Sequence, residues 1–234
     1  MPKQFRIEIG PSQSVTSIAY RAASRDRAGV TLILGHGAGA SQTSSFMVSF
    51  ATNLAGLGID IVTFNFLYAD QRRRIPDSND KLEACYRAVI ERVRNKPWLS
   101  SDHLAIGGKS MDGRIASQVV AASAGELAGL VFLGYPLHPP GRPDRLRAKH
   151  LLAIEAPMLF VQGSRDTFGS PAELQPIVRQ LQPRADLYVA EGGDHALKIP
   201  KRSPLTQEAA YEAVQDHIAA WLRTAVANRS RRKL

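Results

Sequence analysis

From residue 30 onward the chain repeats one order, a short apolar run followed by a segment of helical periodicity, and this restricts it to few architectures. The apolar runs lie at 29–35, 59–66, 103–107, 130–133, 158–161 and 187–190. They are short and mostly aliphatic, without polar alternation, as strands buried on both faces are. Helical patterns fill most of the intervals. One spans 44–57 and is closed by Gly58; another spans 80–96, with Leu82, Cys85, Val89, Ile90 and Val93 along one side and Pro97 as its stop. Others cover 110–122, 171–181 and 204–225. Strand–helix repetition predicts the α/β class, a mainly parallel twisted sheet with helices on both faces. Residues 5–9 and 15–22 read as an antiparallel pair at the sheet edge. No internal repeat or interdomain linker is visible, so 1–226 is expected to be one domain and 227–234 a basic C-terminal tail. The Pro- and Arg-rich stretch 136–151 reads as a loop or small lid, not a large cap domain.

Three residues with complementary chemistry fall at the ends of predicted strands. Ser110 stands in Gly107-Gly108-Lys109-Ser110-Met111-Asp112-Gly113, between a strand and a helix. A serine on such a sharp turn is lifted above the sheet, and the helix N-terminus points its N–H groups at the same place. The turn calls for small residues two positions either side of the serine; Gly108 meets that need, Asp112 does not, and Gly113 comes one position late. Asp166 follows the fifth parallel strand and His195 the sixth. A serine hydroxyl is a weak nucleophile until an imidazole takes its proton, and the imidazole needs a carboxylate on its other nitrogen. The chain order Ser110, Asp166, His195 is that of a strand-end nucleophile, acid and base on one sheet rim. Gly35-His36-Gly37-Ala38-Gly39 closes the first parallel strand, and the backbone N–H groups of Ala38 and Met111 are the expected oxyanion donors.

Two phosphate-binding readings fail on spacing. Gly108-Lys109-Ser110 resembles the end of a P-loop, but the glycine that motif requires would stand at position 103, which is His103. The glycines at 35, 37 and 39 match the dinucleotide fingerprint weakly, with Ala40 in place of the third, and Asp60 lies too far along to bind a ribose from a strand end.

Six ordered blocks resemble the small, capless α/β-hydrolases of the dienelactone-hydrolase type, in particular the testis-expressed-thirty group. They are residues 34–39; 64–66 with Arg72, Arg73 and Arg74; 107–111; 134–141; 162–166; and 191–195. The resemblance covers residues 30 to 200 and implies the α/β-hydrolase fold and a Ser–His–Asp serine hydrolase. It departs at Asp112, where the group has glycine. An aspartate there would suit the helix dipole, yet would add bulk and a negative charge near the attacked carbonyl. The expected activity is cleavage of an ester or related acyl bond in a small substrate through an acyl-serine intermediate. The alternative is a catalytically weak or inactive interaction module, motivated by Asp112 and the basic surface.

Other features carry less. Arg72, Arg73 and Arg74 could bind an anionic substrate group or clamp Asp70, Asp77 and Asp80, and clamping is the preferred reading. His138 and Arg142, in the loop after the fourth parallel strand, are candidates for substrate contact or for loop rigidity. His36 is a further candidate contact, read as support and not as a base. Cys85 is expected to be a buried filler. No metal site or cofactor is expected. The formal charge of +9 partly reflects Arg223, Arg229, Arg231, Arg232 and Lys233, read as a solvated helix end and not a specific nucleic-acid site. No apolar stretch is long enough to span a membrane, no secretory leader is evident, and the lone cysteine requires no oxidising compartment. The expected address is the cytoplasm, with oligomeric state left open.

Overall fold

The computed structural model describes residues 2–99, 103–123 and 126–231. All eight predicted strands form: β1 (Lys3–Gly10), β2 (Gln13–Tyr20), β3 (Val30–Gly35), β4 (Asp60–Phe64), β5 (His103–Lys109), β6 (Gly129–Leu133), β7 (Met158–Gly163) and β8 (Ala185–Ala190). They make one sheet in the order β1-β2-β4-β3-β5-β6-β7-β8. β1 pairs antiparallel with β2, and β2 with β4; every other pairing is parallel. The helices are α1 (Ser45–Gly56), α2 (Leu67–Asp70), α3 (Asn79–Arg94), α4 (Met111–Ala122), α5 (Pro171–Leu181) and α6 (Gln207–Arg231).

Alternation along the central strands divides the core into two layers. Ile33, Phe64, Ile106, Phe132 and Phe160 face α3, α4 and α5. Leu32, Leu34, Ile61, Val131, Leu133 and Val161 face α1 and α6. Because both faces are covered, the strands show no polar alternation, and each fully buried Leu, Ile or Phe contributes about 1.5–3 kcal/mol of burial free energy. This explains why the runs were legible as parallel strands.

β4 lies on one side of β3 and β5 on the other, so the direction of winding reverses at β3. A crevice therefore opens at the carboxyl ends of β3 and β5, where such sheets bind ligands. The segment between β6 and β7 carries one short 3-10 turn, Lys149–Ala153, and no cap helix among the described residues. Its path is pinned from within. The Tyr135 hydroxyl donates to Arg147 O, Arg147 N–H donates to Leu137 O, and Leu137 is fully buried.

Three expectations need correction. The run 59–66 is strand only as far as Phe64; Asn65 turns its amide to Thr16 and Asp70, and the short helix α2 follows. The last helix begins at Gln207, with the Thr206 hydroxyl accepting from Ala209 N–H, and not at Pro204. It also runs past 225 to Arg231, so the first part of the expected tail is helical. There Arg229 reaches Glu126 and the Leu127 carbonyl. Arg232 and Lys233 lie outside the described residues. Among the described residues no helix is long and apolar enough to cross a membrane.

Candidate active site

Ser110 sits between β5 and α4 with φ +54° and ψ −114°, a conformation that L residues rarely occupy. Glycines make that turn feasible. A Cβ on Gly107 would meet Val131 O at 1.9 Å, and one on Gly113 would meet Gly108 O at 2.9 Å. Ser110 N–H donates to Leu133 O, which ties the turn to β6, and Ser110 O accepts from Arg114 N–H as α4 begins.

Asp112 answers the steric question raised by the sequence. It is fully buried, and its carboxyl occupies the space that side chains at Gly35 and Gly108 would take. A Cβ at Gly35 would lie 2.2 Å from the Asp112 Cγ, and one at Gly108 would lie 1.8 Å from Oδ2. Oδ2 accepts Gly35 N–H at 3.0 Å, while Oδ1 has no hydrogen-bond partner. Burial pushes the Asp112 carboxyl well above the usual range, against the opposing hydrogen bond from Gly35 N–H, and so favours its neutral form. The side chain turns toward Gly35 and Gly108, beneath the elbow.

The β7–α5 and β8–α6 loops bring the acid and the imidazole to the serine. Gly163 lets the two loops touch, since a Cβ there would lie 2.4 Å from both Gly193 O and Asp194 O. Arg165 N–H donates to Gly193 O, and Gly192 N–H donates to the Ser164 hydroxyl. Asp194 shapes the histidine turn by accepting from Ala196 N–H and Lys198 N–H. His195 Nε2 lies 2.7 Å from Ser110 Oγ, and His195 Nδ1 lies 2.8 and 2.9 Å from the two Asp166 oxygens. A carboxylate only accepts, so Nδ1 carries the proton and Nε2 presents its lone pair to the serine.

Two partners of this chain were not visible in the sequence. Gln162, fully buried, donates from Nε2 to Asp166 Oδ2 at 2.8 Å and to Gly169 O, while its Oε1 accepts Tyr135 N–H. Phe168 N–H donates to Asp166 Oδ1 at 2.8 Å, and the Phe168 ring stacks on His195 at 4.0 Å between centroids. Asp166 thus accepts from three donors, which holds its plane toward the imidazole. Only the position of Gln162, four residues before Asp166 at a strand end, hints at such a role.

The glycine-rich loop after β3 flanks the serine. A Cβ on Gly37 would lie 3.7 Å from the Ser110 Cβ, and the Ala40 N–H to Gly37 O bond closes a turn that carries Ala38. Neither Ala38 N–H nor Met111 N–H donates to a protein acceptor among the described residues.

The remaining candidates are placed elsewhere. His36 is fully buried; its Nδ1 donates to Gly37 O and its Nε2 accepts Phe66 N–H, with burial lowering its basicity. It fastens the loop to the end of β4 and has no surface left for substrate. His138 is buried too, with Nδ1 on Pro139 O and Nε2 facing Glu173 Oε1 at 3.2 Å, off the line of a hydrogen bond. It stiffens the loop. Arg142 pairs with Asp144 at the exposed surface. Arg73 pairs with Asp77 at 2.6 Å, the clamp expected of this cluster, while Asp70 is taken by Thr16 and Asn65. Arg72 and Arg74 are exposed. Cys85 is buried on the apolar side of α3, and burial pushes its thiol up to about 12.

A serine at the switch point of a mostly parallel sheet, hydrogen-bonded to a strand-end imidazole, is the arrangement of α/β hydrolases. The chain belongs to the alpha/beta hydrolase domain family, whose model matches residues 28–223. Solved structures of similar fold include a lidless α/β serine hydrolase from Xanthomonas campestris, 20% identical, covering 97% of this chain and 94% of that one at a TM-score of 0.69. A dienelactone hydrolase from Anabaena variabilis is 19% identical, with 94% and 96% coverage and a TM-score of 0.70. An esterase from Pyrococcus furiosus is 16% identical, with 96% and 92% coverage and a TM-score of 0.73.

Proposed function

We propose that this hydrolase cleaves an ester or related acyl bond of a small substrate through an acyl-serine intermediate. The observation that carries the reading is the continuous path Ser110 Oγ, His195 Nε2, His195 Nδ1, Asp166, with every link between 2.7 and 2.9 Å. Ser110 Oγ attacks the acyl carbonyl while His195 Nε2 takes its proton, and Asp166 stabilises the imidazolium that forms. The tetrahedral oxygen accepts from Ala38 N–H and Met111 N–H, each such donor being worth about 3 kcal/mol. His195 then protonates the departing alkoxide, which leaves the acyl group on Ser110. Water enters, gives its proton to His195, attacks the acyl carbon and releases the acid with Ser110 restored. A site without cap helices suits a small substrate. Arg72 and Arg74, exposed after α2, are the arginines of the expected cluster left for an anionic group, Arg73 being engaged with Asp77. Within the family, the six sequence blocks support a place beside the testis-expressed-thirty group. The lone, buried Cys85 suits a cytoplasmic address. The interaction-module reading draws less support from Asp112, whose buried carboxyl is spent on Gly35 N–H and whose burial favours the neutral form.

Pre-steady-state hydrolysis of a p-nitrophenyl short-chain ester tests this reading. A burst stoichiometric with enzyme in the wild type, absent from Ser110→Ala, is expected. Equal rates for the two proteins would overturn it.

A further inference from the structure

Lys109 precedes the serine, and its charge serves none of the steps above. The residue is 9% exposed, and its ammonium donates to the backbone carbonyl of His195, a bond between groups 86 positions apart in the chain. The convergence is visible at Gly134, which has φ +66° at the end of β6. A Cβ there would lie 2.8 Å from His195 O, 2.9 Å from Lys109 Nζ and 3.4 Å from Asp166 Oδ2. The cation is thus packed over one glycine with the main chain of the base and the carboxylate of the acid. The β3 loop passes close to its stem: a Cβ on Gly37 would lie 3.5 Å from Lys109 Cγ. The charged groups facing the ammonium are Asp166 from the β7–α5 loop and Asp194 from the β8–α6 loop, where His195 also sits.

We propose that Lys109 is a positioning residue for the hydrolase, clamping the His195 main chain beside Asp166 so that the imidazole stays aligned on Ser110. This rests on the serine-hydrolase reading. No other donor to His195 O occurs among the described residues. A charged donor holds a carbonyl roughly twice as strongly as a neutral one. The clamp therefore weakens when Lys109 loses its proton. Burial lowers the Lys109 pKa to about 8, against the opposing attraction of Asp166 and Asp194, so that loss falls within an accessible range. The sign follows: the hold is complete below this range and declines as pH rises through it.

The test compares wild type, Ser110→Ala, Lys109→Met and Lys109→Arg with p-nitrophenyl butyrate from pH 6 to 10, after thermal melts confirm folding. Wild-type kcat is expected to fall on the alkaline side with a midpoint of about 8. Lys109→Met should lower kcat about 10- to 100-fold, with KM within about twofold and no such alkaline limb, since misalignment costs turnover more than binding. Lys109→Arg should recover part of kcat and move the limb beyond pH 10, because a guanidinium keeps its charge. If Lys109→Met does not fold, the Lys109→Arg profile decides alone. Ser110-dependent turnover with a limb unchanged in Lys109→Arg, or with full kcat in Lys109→Met, overturns the Lys109 assignment and leaves the hydrolase reading intact. Wild-type turnover no greater than that of Ser110→Ala overturns both.

Discussion

Replacing Asp112 by asparagine should make the protein progressively more stable than wild type as pH rises. The Asp112 side chain is fully buried, accepts one N–H from Gly35, and leaves Oδ1 without a partner. Burial raises its pKa, so the folded protein keeps the proton over a range where the unfolded chain, titrating at about 3.9, has lost it. A group raised in this way contributes its full stability below the unfolded value and loses it as pH climbs toward the folded value. The slope is about 1.4 kcal/mol per pH unit for as long as the folded protein alone keeps the proton. Asparagine has the same shape, retains an oxygen for Gly35 N–H and does not titrate. Its amide nitrogen replaces the unpartnered oxygen, so near pH 4 the two proteins should differ by no more than about 1 kcal/mol. Urea unfolding of both proteins at half-unit steps from pH 4 to 9 reads the difference directly, since the other titrating groups are common to both. The gap should open above pH 4 and flatten where the folded carboxyl finally ionises. Turnover should change by less than about threefold, since the side chain contacts Gly35 and Gly108 and not the reacting atoms. A gap independent of pH would show that Asp112 is charged in the fold and refute the reasoning.

Two further substitutions probe the supports of the Ser110–His195–Asp166 chain. Gly134→Ala places a methyl group within 3 Å of both His195 O and Lys109 Nζ at a positive φ, and hydrolysis should fall by about 100-fold or more, with a stability loss of about 1–3 kcal/mol in urea unfolding. Gln162→Leu removes the donor to Asp166 Oδ2 and the acceptor of Tyr135 N–H, at a cost of about 1–3 kcal/mol for each buried group left unpaired; kcat should fall about tenfold or more while KM holds. Unchanged kcat in the Gln162 variant would show that Asp166 needs no such brace.

What the sequence disclosed and what it withheld divide along a physical line. Strands buried on both faces are mostly apolar, so β3 to β7, with Ser110 and Asp166 at strand ends, follow from local pattern; β8, at the sheet edge with Asp186 exposed, is legible from its shorter apolar run, with His195 beyond it. Features set by contacts across the chain do not. The room for Asp112 is provided by nearby Gly108 and also by Gly35, 77 positions away, and the second contribution is invisible near residue 112. Gln162 and Lys109 are polar residues in apolar strands, and their partners appear only when the loops after β6, β7 and β8 are brought together. His36 and His138 look available in Gly- and Pro-rich stretches, yet each is buried on its own backbone. The four residues of α2 are too few to show periodicity, and they follow a strand run without a break. The end of α6 extends beyond its local pattern, where Arg229 reaches Glu126 and the Leu127 carbonyl, partners about 100 positions away in the chain.

The most direct measurement is covalent capture of the nucleophile. The folded protein would be incubated with a fluorophosphonate, digested, and the modified peptide located by mass spectrometry. A hydroxyl activated by His195 should be labelled at Ser110 alone within minutes, and labelling should vanish in His195→Ala. Absence of adduct, or adduct spread over surface serines at the same rate in both proteins, would contradict an activated Ser110.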